Sequence, residues 1–250
     1  MKGLQIFTHS VRLVFSNLEN ALRVSLILYL VQAANSVFLY LNPPEMTEMA
    51  GTEFPVMDPG TAGSSLLLSI LAVIASLWIA VAWHRFVLAE EYPTGWLPRW
   101  HGSNMLSYLG RSILLGLLIA FAVVAASIPI SLIAMVAPPL VAMVPFFMIG
   151  FGAYLFFRLS VMLPAAALGE KLRLGEAWDA TKGETGTLLT LTAIVVAASI
   201  VVQLPTLLSG DATSFISLVY ALVVNWFATV IGISLLTTLY GHFIEKRPID

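Results

Sequence analysis

Residues 156–183 read FFRLSVMLPAAALGEKLRLGEAWDATKG, from Phe156 to Gly183. Arg158 lies near the end of a long apolar run, and Pro164 follows it closely. A proline inside a helix removes one backbone hydrogen bond and clashes with the preceding turn, so a helix is expected to end here. The segment around Glu176 and Trp178 then has the mixed polar and apolar character of a helix that lies at a membrane surface. The stretch therefore predicts a membrane helix that ends, lies down and turns back into the bilayer.

The composition requires a membrane as the solvent. Only 10% of the 250 residues are charged and 59% are hydrophobic, whereas soluble domains carry about 25% charged residues. An apolar excess of this size is stable only in lipid. The net charge of -2 supplies no basic field for nucleic acid. The absence of cysteine excludes disulfides, thiolate metal sites and thiol catalysis.

Hydropathy predicts an all-α integral membrane protein with six transmembrane helices in three hairpins. A span needs about 20 apolar residues, and suitable segments lie at residues 21–41, 65–88 and 112–136, from near Leu140 past Arg158, and at 187–209 and 215–240. Each hairpin is preceded by a segment predicted as an interfacial amphipathic helix, at residues 4–22, 102–110 and 172–185. Residues 42–63 are interpreted as a solvated connector, and Gly210-Asp211 as a turn.

The charges predict how the six spans are threaded. With these spans, every lysine and arginine falls on one side of the membrane, and the opposite side holds only acids: Glu45, Glu48, Glu53, Asp58 and Asp211. Basic loops stay in the cytoplasm. We therefore expect both termini and the three amphipathic helices to be cytoplasmic.

The chain shows signs of a threefold repeat within a single domain of residues 1–250, with units at about 4–90, 97–169 and 172–246. Each even-numbered span ends on an aromatic residue, any residue, a basic residue and an apolar one. The three copies are Trp83-His84-Arg85-Phe86, Phe156-Phe157-Arg158-Leu159 and Tyr240-Gly241-His242-Phe243. If the repeat holds, Arg85, Arg158 and His242 end equivalent helices and could form a ring that holds an anionic lipid headgroup. The alternative is three independent anchors.

Arg158 is expected to be structurally necessary. Apolar residues flank it for many positions on both sides, so free solvation is excluded. It must reach the headgroups or pair with a glutamate, a carbonyl or a phosphate.

A resemblance supports this arrangement. The sequence resembles bacterial six-span inner-membrane families in a motif made by Arg158, Pro164, Glu176, Trp178, Thr181, Lys182 and Gly183. These families include the membrane region attached to some glycerophosphodiester phosphodiesterases. The resemblance implies an all-helical fold in the bacterial inner membrane, with no agreed activity. Because this chain has no phosphodiesterase domain, that enzyme's activity is not implied.

The sequence lacks the usual components of an active site, so we expect no enzymatic activity, no cofactor and no metal. No carboxylate lies inside a predicted span, although proton-coupled carriers generally need one. No zinc-protease motif, nucleophile elbow or phosphate-binding loop is present.

Two functions remain open. The first is a non-catalytic scaffold that binds other membrane proteins or binds and organises lipid. The alternative is a transporter or channel for a small or lipidic solute. The transporter alternative is based on the proline-interrupted spans and on four polar residues inside the spans, namely Gln32, Asn35, Gln203 and Asn225.

Overall fold

The computed structural model describes residues 2–49, 52–136, 138–209 and 214–249. In chain order the elements are α1 (Lys2–Ser16), α2 (Leu18–Leu41), β1 (Glu45–Met49), β2 (Thr52–Val56), α3 (Pro59–Ala89), α4 (Gly102–Val136), a 3₁₀ helix (Pro138–Met143), α5 (Val144–Leu159), α6 (Met162–Leu168), α7 (Leu174–Ala180), α8 (Thr185–Ser209) and α9 (Phe215–Phe243).

Within the described residues, six helical segments are long and apolar enough to cross a membrane, which confirms the predicted number of spans by length and composition. They are Leu18–Leu41, Pro59–Ala89, Gly102–Ile133, Val141–Leu168, Thr185–Pro205 and Phe215–Phe243. The fourth segment includes both α5 and α6. The fold is thus that of an all-α multi-pass membrane protein. Its threading across the bilayer stays a prediction.

Two local predictions are revised. The interfacial helix expected at residues 102–110 is not a separate element, because α4 runs unbroken from Gly102 into the span. The solvated connector predicted at residues 42–63 contains regular structure that was not expected, since β1 and β2 pair as an antiparallel hairpin in which Glu45 is opposite Val56. The turn predicted at Gly210-Asp211 lies outside the described residues.

α1 packs against α8 and α9 rather than mainly on its own hairpin. Its buried face carries Gly3, Ile6, Ser10 and Val14. At Gly3 an added Cβ would lie only 2.6 Å from the Thr187 carbonyl oxygen, so a glycine is required for this close approach. The first predicted repeat unit therefore does not pack as a separate body.

α6 is buried at the centre of one end of the molecule. We call this the basic end, because Arg85, Arg158 and Lys171 lie there. Pro164 lies in its first turn, where its ring would clash with the Ser160 carbonyl of a continuous helix, and this separates α6 from α5. Helices α3, α4 and α9 all pack on α6. The residues of α6 from Met162 to Ala167 are all buried.

Thiol labelling tests the predicted threading. A cysteine introduced at Thr52, which is exposed on β2, should react with a membrane-impermeant reagent added outside intact cells. A cysteine at Lys171, exposed at the basic end, should react only after the cells are opened, because basic segments stay inside. The chain contains no cysteine, so each label is unique. The reverse pattern at either site would contradict the six-span arrangement.

Candidate functional site

Arg158 forms the centre of a small site at the basic end. It ends α5 and is only 7% exposed. Its Nη1 donates a hydrogen bond to the Tyr154 hydroxyl at 2.6 Å, and its Cζ lies 3.7 Å from the centroid of the Trp178 ring. Among the described residues its side chain thus contacts a phenol and an aromatic ring rather than the expected glutamate or carbonyl, and a contact with lipid headgroups stays a prediction. The Nε of Arg158 has no hydrogen-bond partner among the described residues.

The motif residues position Trp178 over Arg158. Glu176 accepts a hydrogen bond at 2.7 Å from the backbone N–H of Arg173, which starts α7. The buried Thr181 hydroxyl lies 3.1 Å from the Trp178 carbonyl oxygen and 3.4 Å from the Arg158 carbonyl oxygen. α7 is thus attached to the end of α5, so that four of the motif residues, Arg158, Glu176, Trp178 and Thr181, form one connected site.

Two further motif residues lead the chain out of this site. Gly183 adopts a φ of 85°, a left-handed conformation that favours glycine, and α8 begins two residues later. Lys182 is exposed in the same turn.

An apolar groove of about 660 Å³ runs between α5 and α8 and ends beside this site. Its walls come from Phe146, Phe147, Gly150, Phe151, Tyr154, Thr185, Leu189, Thr192, Ala193, Val196, Ala197 and Ile200. Tyr154, at the end nearest Arg158, is the residue that accepts the arginine's hydrogen bond. The groove is open on one side, where large apolar side chains such as Phe146 and Phe147 are exposed.

Arg85 and His242 have partners of their own, and neither makes a contact with Arg158 among the described residues. Arg85 donates to Glu91 at 2.7 Å and lies 3.4 Å from the Ala167 carbonyl oxygen. His242 lies 3.4 Å from the Arg247 carbonyl oxygen. The common ring of Arg85, Arg158 and His242 stays a prediction that no contact supports. Of the aromatic residues in the same three segments, Trp83 and Tyr240 are buried in the protein core.

A second recess, of about 430 Å³, lies between α2 and α9. It is lined by Tyr29, Gln32, Ser36, Asn225, Ala228 and Thr229. The structure thus brings together two of the four polar residues singled out in the spans, Gln32 and Asn225. Asn35 and Gln203 do not line it.

Sequence reasoning missed Tyr154 in this site, and it missed Glu170 outside it. Tyr154 lies four residues before Arg158, a spacing that places two side chains on one helix face, and this spacing could have identified it. Glu170 accepts a hydrogen bond from the Tyr240 hydroxyl of α9. No local pattern predicts this second contact.

These features define an all-helical membrane protein with a basic and aromatic site next to an apolar groove. Comparisons of the chain with protein-family models, with curated proteins and with solved structures find no match. The resemblance to bacterial six-span families stays a prediction. Within residues 2–49, 52–136, 138–209 and 214–249, no group of three histidine, aspartate or glutamate side chains is placed to hold a metal ion.

Replacing Arg158 should destabilise the protein. Arg158→Leu leaves the Tyr154 hydroxyl without its donor and removes a desolvated cation–aromatic contact, for an expected loss of about 2 kcal/mol. Arg158→Lys should recover part of this loss, because lysine keeps the charge but lacks the planar guanidinium. Thermal unfolding in mild detergent measures both, with Arg12→Leu as a control at an exposed arginine of α1. Equal melting temperatures for the wild type, Arg158→Leu and Arg158→Lys would show that the contact contributes nothing.

The ion pair that joins α1 to α8 should make stability depend on pH. Glu184 accepts hydrogen bonds from Lys2 Nζ and from the Thr187 hydroxyl, both at 2.7 Å, and these bonds hold its pKa below the ordinary value of 4.5. Because the pKa is lower in the folded state, the stabilisation is complete above pH 4.5 and is lost as the pH falls through the folded-state value. The pair is partly exposed, so the gain is at most about 1 kcal/mol.

The measurement is the melting temperature of wild type and Glu184→Gln between pH 7 and pH 3. We expect wild type to be more stable at neutral pH and the difference to vanish in acid. Glu53→Gln, on the exposed hairpin, is the control. A difference that grows as the pH falls would contradict the assignment.

Proposed function

We propose that the chain is a non-catalytic integral protein of the bacterial inner membrane that binds lipid. In this proposal an acyl chain lies in the groove between α5 and α8, and an anionic headgroup rests beside Trp178 and Lys182. The observation that carries it is the position of the groove, which ends at the cationic and aromatic site formed by Arg158, Trp178 and Tyr154.

The dimensions of the groove suit an acyl chain. Its walls on α8 extend from Thr185 to Ile200, which at 1.5 Å per residue is about 23 Å. One leaflet contributes about 15 Å of a hydrocarbon core that is roughly 30 Å thick. The groove is therefore long enough for a chain that enters at the surface and reaches the middle of the bilayer. Its predominantly apolar lining offers such a chain close packing.

The site at the end of the groove suits a negatively charged headgroup. Trp178 is 41% exposed, and tryptophan side chains favour the headgroup level of a membrane. Lys182 is exposed nearby and can contact a phosphate directly, while Arg158 adds a second positive charge behind the Trp178 ring. The charge pattern predicts that this end faces the cytoplasm, where the leaflet is rich in anionic lipids.

The non-catalytic part of the proposal rests on the sequence, in which motifs for hydrolytic and phosphoryl-transfer chemistry are missing. Binding to other membrane proteins is compatible with the same surface and remains part of the proposal. Transport is the alternative, and a solute flux measured in proteoliposomes would favour it.

Filling the groove should remove bound lipid. Gly150 lines the groove, and a Cβ added there meets no atom within 4 Å, so Gly150→Trp starts in open space and places its indole in the groove. Native mass spectrometry of the purified protein should show lipid retained by wild type and at least about tenfold less by Gly150→Trp, because a tryptophan occupies volume that an acyl chain needs. Gly116→Trp is the matched control, since Gly116 is an exposed span glycine with equally open surroundings.

The preference of the protein for anionic lipids tests headgroup binding separately from acyl-chain binding. Lys182→Gln should lower the preference for phosphatidylglycerol over phosphatidylcholine and leave the total lipid retained nearly constant. Arg12→Gln should change neither quantity, because Arg12 is an exposed residue of α1 and lines no part of the groove. If Gly150→Trp and Gly116→Trp retain the same lipid as wild type, the groove is not a lipid site.

A further inference from the structure

The recess between α2 and α9 differs in chemistry from the groove between α5 and α8. Five of its six lining residues carry a hydroxyl or an amide, and none carries a charge: Tyr29, Gln32, Ser36, Asn225 and Thr229 surround it together with Ala228. Its volume of about 430 Å³ is within the usual range of small-molecule sites, about 300–1,000 Å³. Both helices are candidate membrane spans. Such a concentration of polar groups is costly in hydrocarbon unless the groups find partners.

Only some of these polar groups are satisfied by the protein. The Tyr29 hydroxyl donates to the Leu222 carbonyl, and the Ser36 hydroxyl lies 3.3 Å from the Gln32 carbonyl oxygen. The Nε2 of Gln32 is buried without a hydrogen-bond partner among the described residues. Rotation of this amide towards the recess would therefore break no hydrogen bond. Asn225 is exposed on the other wall, so that after this rotation an amide from each helix would face the recess.

We propose that this recess binds an uncharged molecule bearing several hydroxyl or amide groups, of the size of a small polyol. An amide both donates and accepts hydrogen bonds, so Gln32 and Asn225 together can hold a ligand that does the same. An ion is disfavoured because no lining residue carries an opposite charge and the desolvation cost would be unbalanced. An acyl chain is disfavoured because it would leave both amides unpaired. This site does not depend on the lipid groove.

The shape of the recess favours a bound ligand over association with a second copy of the chain. Helices that associate through polar residues approach closely over small side chains. Here a concave space remains open between two helices that already pack on each other. A ligand that enters this space can contact both walls at once.

Thiol chemistry in the recess tests the proposal, because the natural chain has no cysteine. Thr229→Cys places a thiol in the recess, and Val223→Cys places one on an exposed apolar position of the same helix. In lipid nanodiscs, uncharged iodoacetamide should modify Thr229→Cys at least about tenfold faster than Val223→Cys, because a thiolate forms poorly in an apolar environment. A sulfonate-bearing reagent should show no such acceleration at Thr229→Cys, since an anion finds no countercharge there.

Protection by a ligand is the decisive measurement. Erythritol, as a probe of free polyols, should slow the reaction of Thr229→Cys, and the combined changes Gln32→Leu and Asn225→Leu should abolish this protection. If only nanodiscs that contain a neutral glycolipid give protection, the hydroxyl groups recognised are those of a lipid headgroup. The proposal is overturned if neither probe protects. It is also overturned if Thr229→Cys reacts as slowly as Val223→Cys, or if an oxidant links two copies through Thr229→Cys.

Discussion

The fold depends on satisfying the carbonyl end of α6, a short buried helix on which three other helices pack. The last carbonyls of any helix lack partners within the helix, and burial makes each unpaired group costly. Asn104 of α4 donates to the Ala167 carbonyl at 2.7 Å, and Arg85 of α3 approaches the same oxygen at 3.4 Å. The backbone N–H of Glu170 closes the turn on the Ala165 carbonyl. Two spans are thereby tied to the end of one buried helix.

The same principle explains why the basic residues do not all serve as lipid anchors. Positive side chains are favoured at helix C-termini because the backbone dipole places partial negative charge there. Arg247 donates to the Val87 and Leu88 carbonyls at the end of α3, whereas Arg111 donates to the Leu172 carbonyl in the loop between α6 and α7. Cations that the charge rule places on one side of the membrane thus satisfy backbone carbonyls at a helix end and in a loop. The same basic residues determine the predicted topology and stabilise the packing. Composition alone therefore does not show which of the two roles a given residue has.

The spans could be predicted because each needs only about 20 consecutive apolar residues to cross the hydrocarbon core. α2 and α9 begin and end close to the expected residues. The β-hairpin was missed because its strands are short and do not alternate clearly between polar and apolar residues: Phe54 and Val56 share a face, but so do Met46 and Glu48. The contact of Arg158 with Trp178 was missed for another reason. It joins residues 20 positions apart across the α5–α6 bend, and hydropathy contains no information about which side chains a bend brings together.

The two recesses follow from how the spans are held together. α1 packs against α8 and α9, α6 packs against α3, α4 and α9, and α7 packs against α5. α8 packs on α1 and α5, and its contact with α9 includes the hydrogen bond from the Tyr220 hydroxyl to the Val202 carbonyl. Small residues such as Gly150 and Ala197 leave space between α5 and α8, and all the described residues that line this space belong to those two helices. Helices that contact each other along only part of their length can keep open grooves between them, and the side chains that line each groove then determine which molecules it binds.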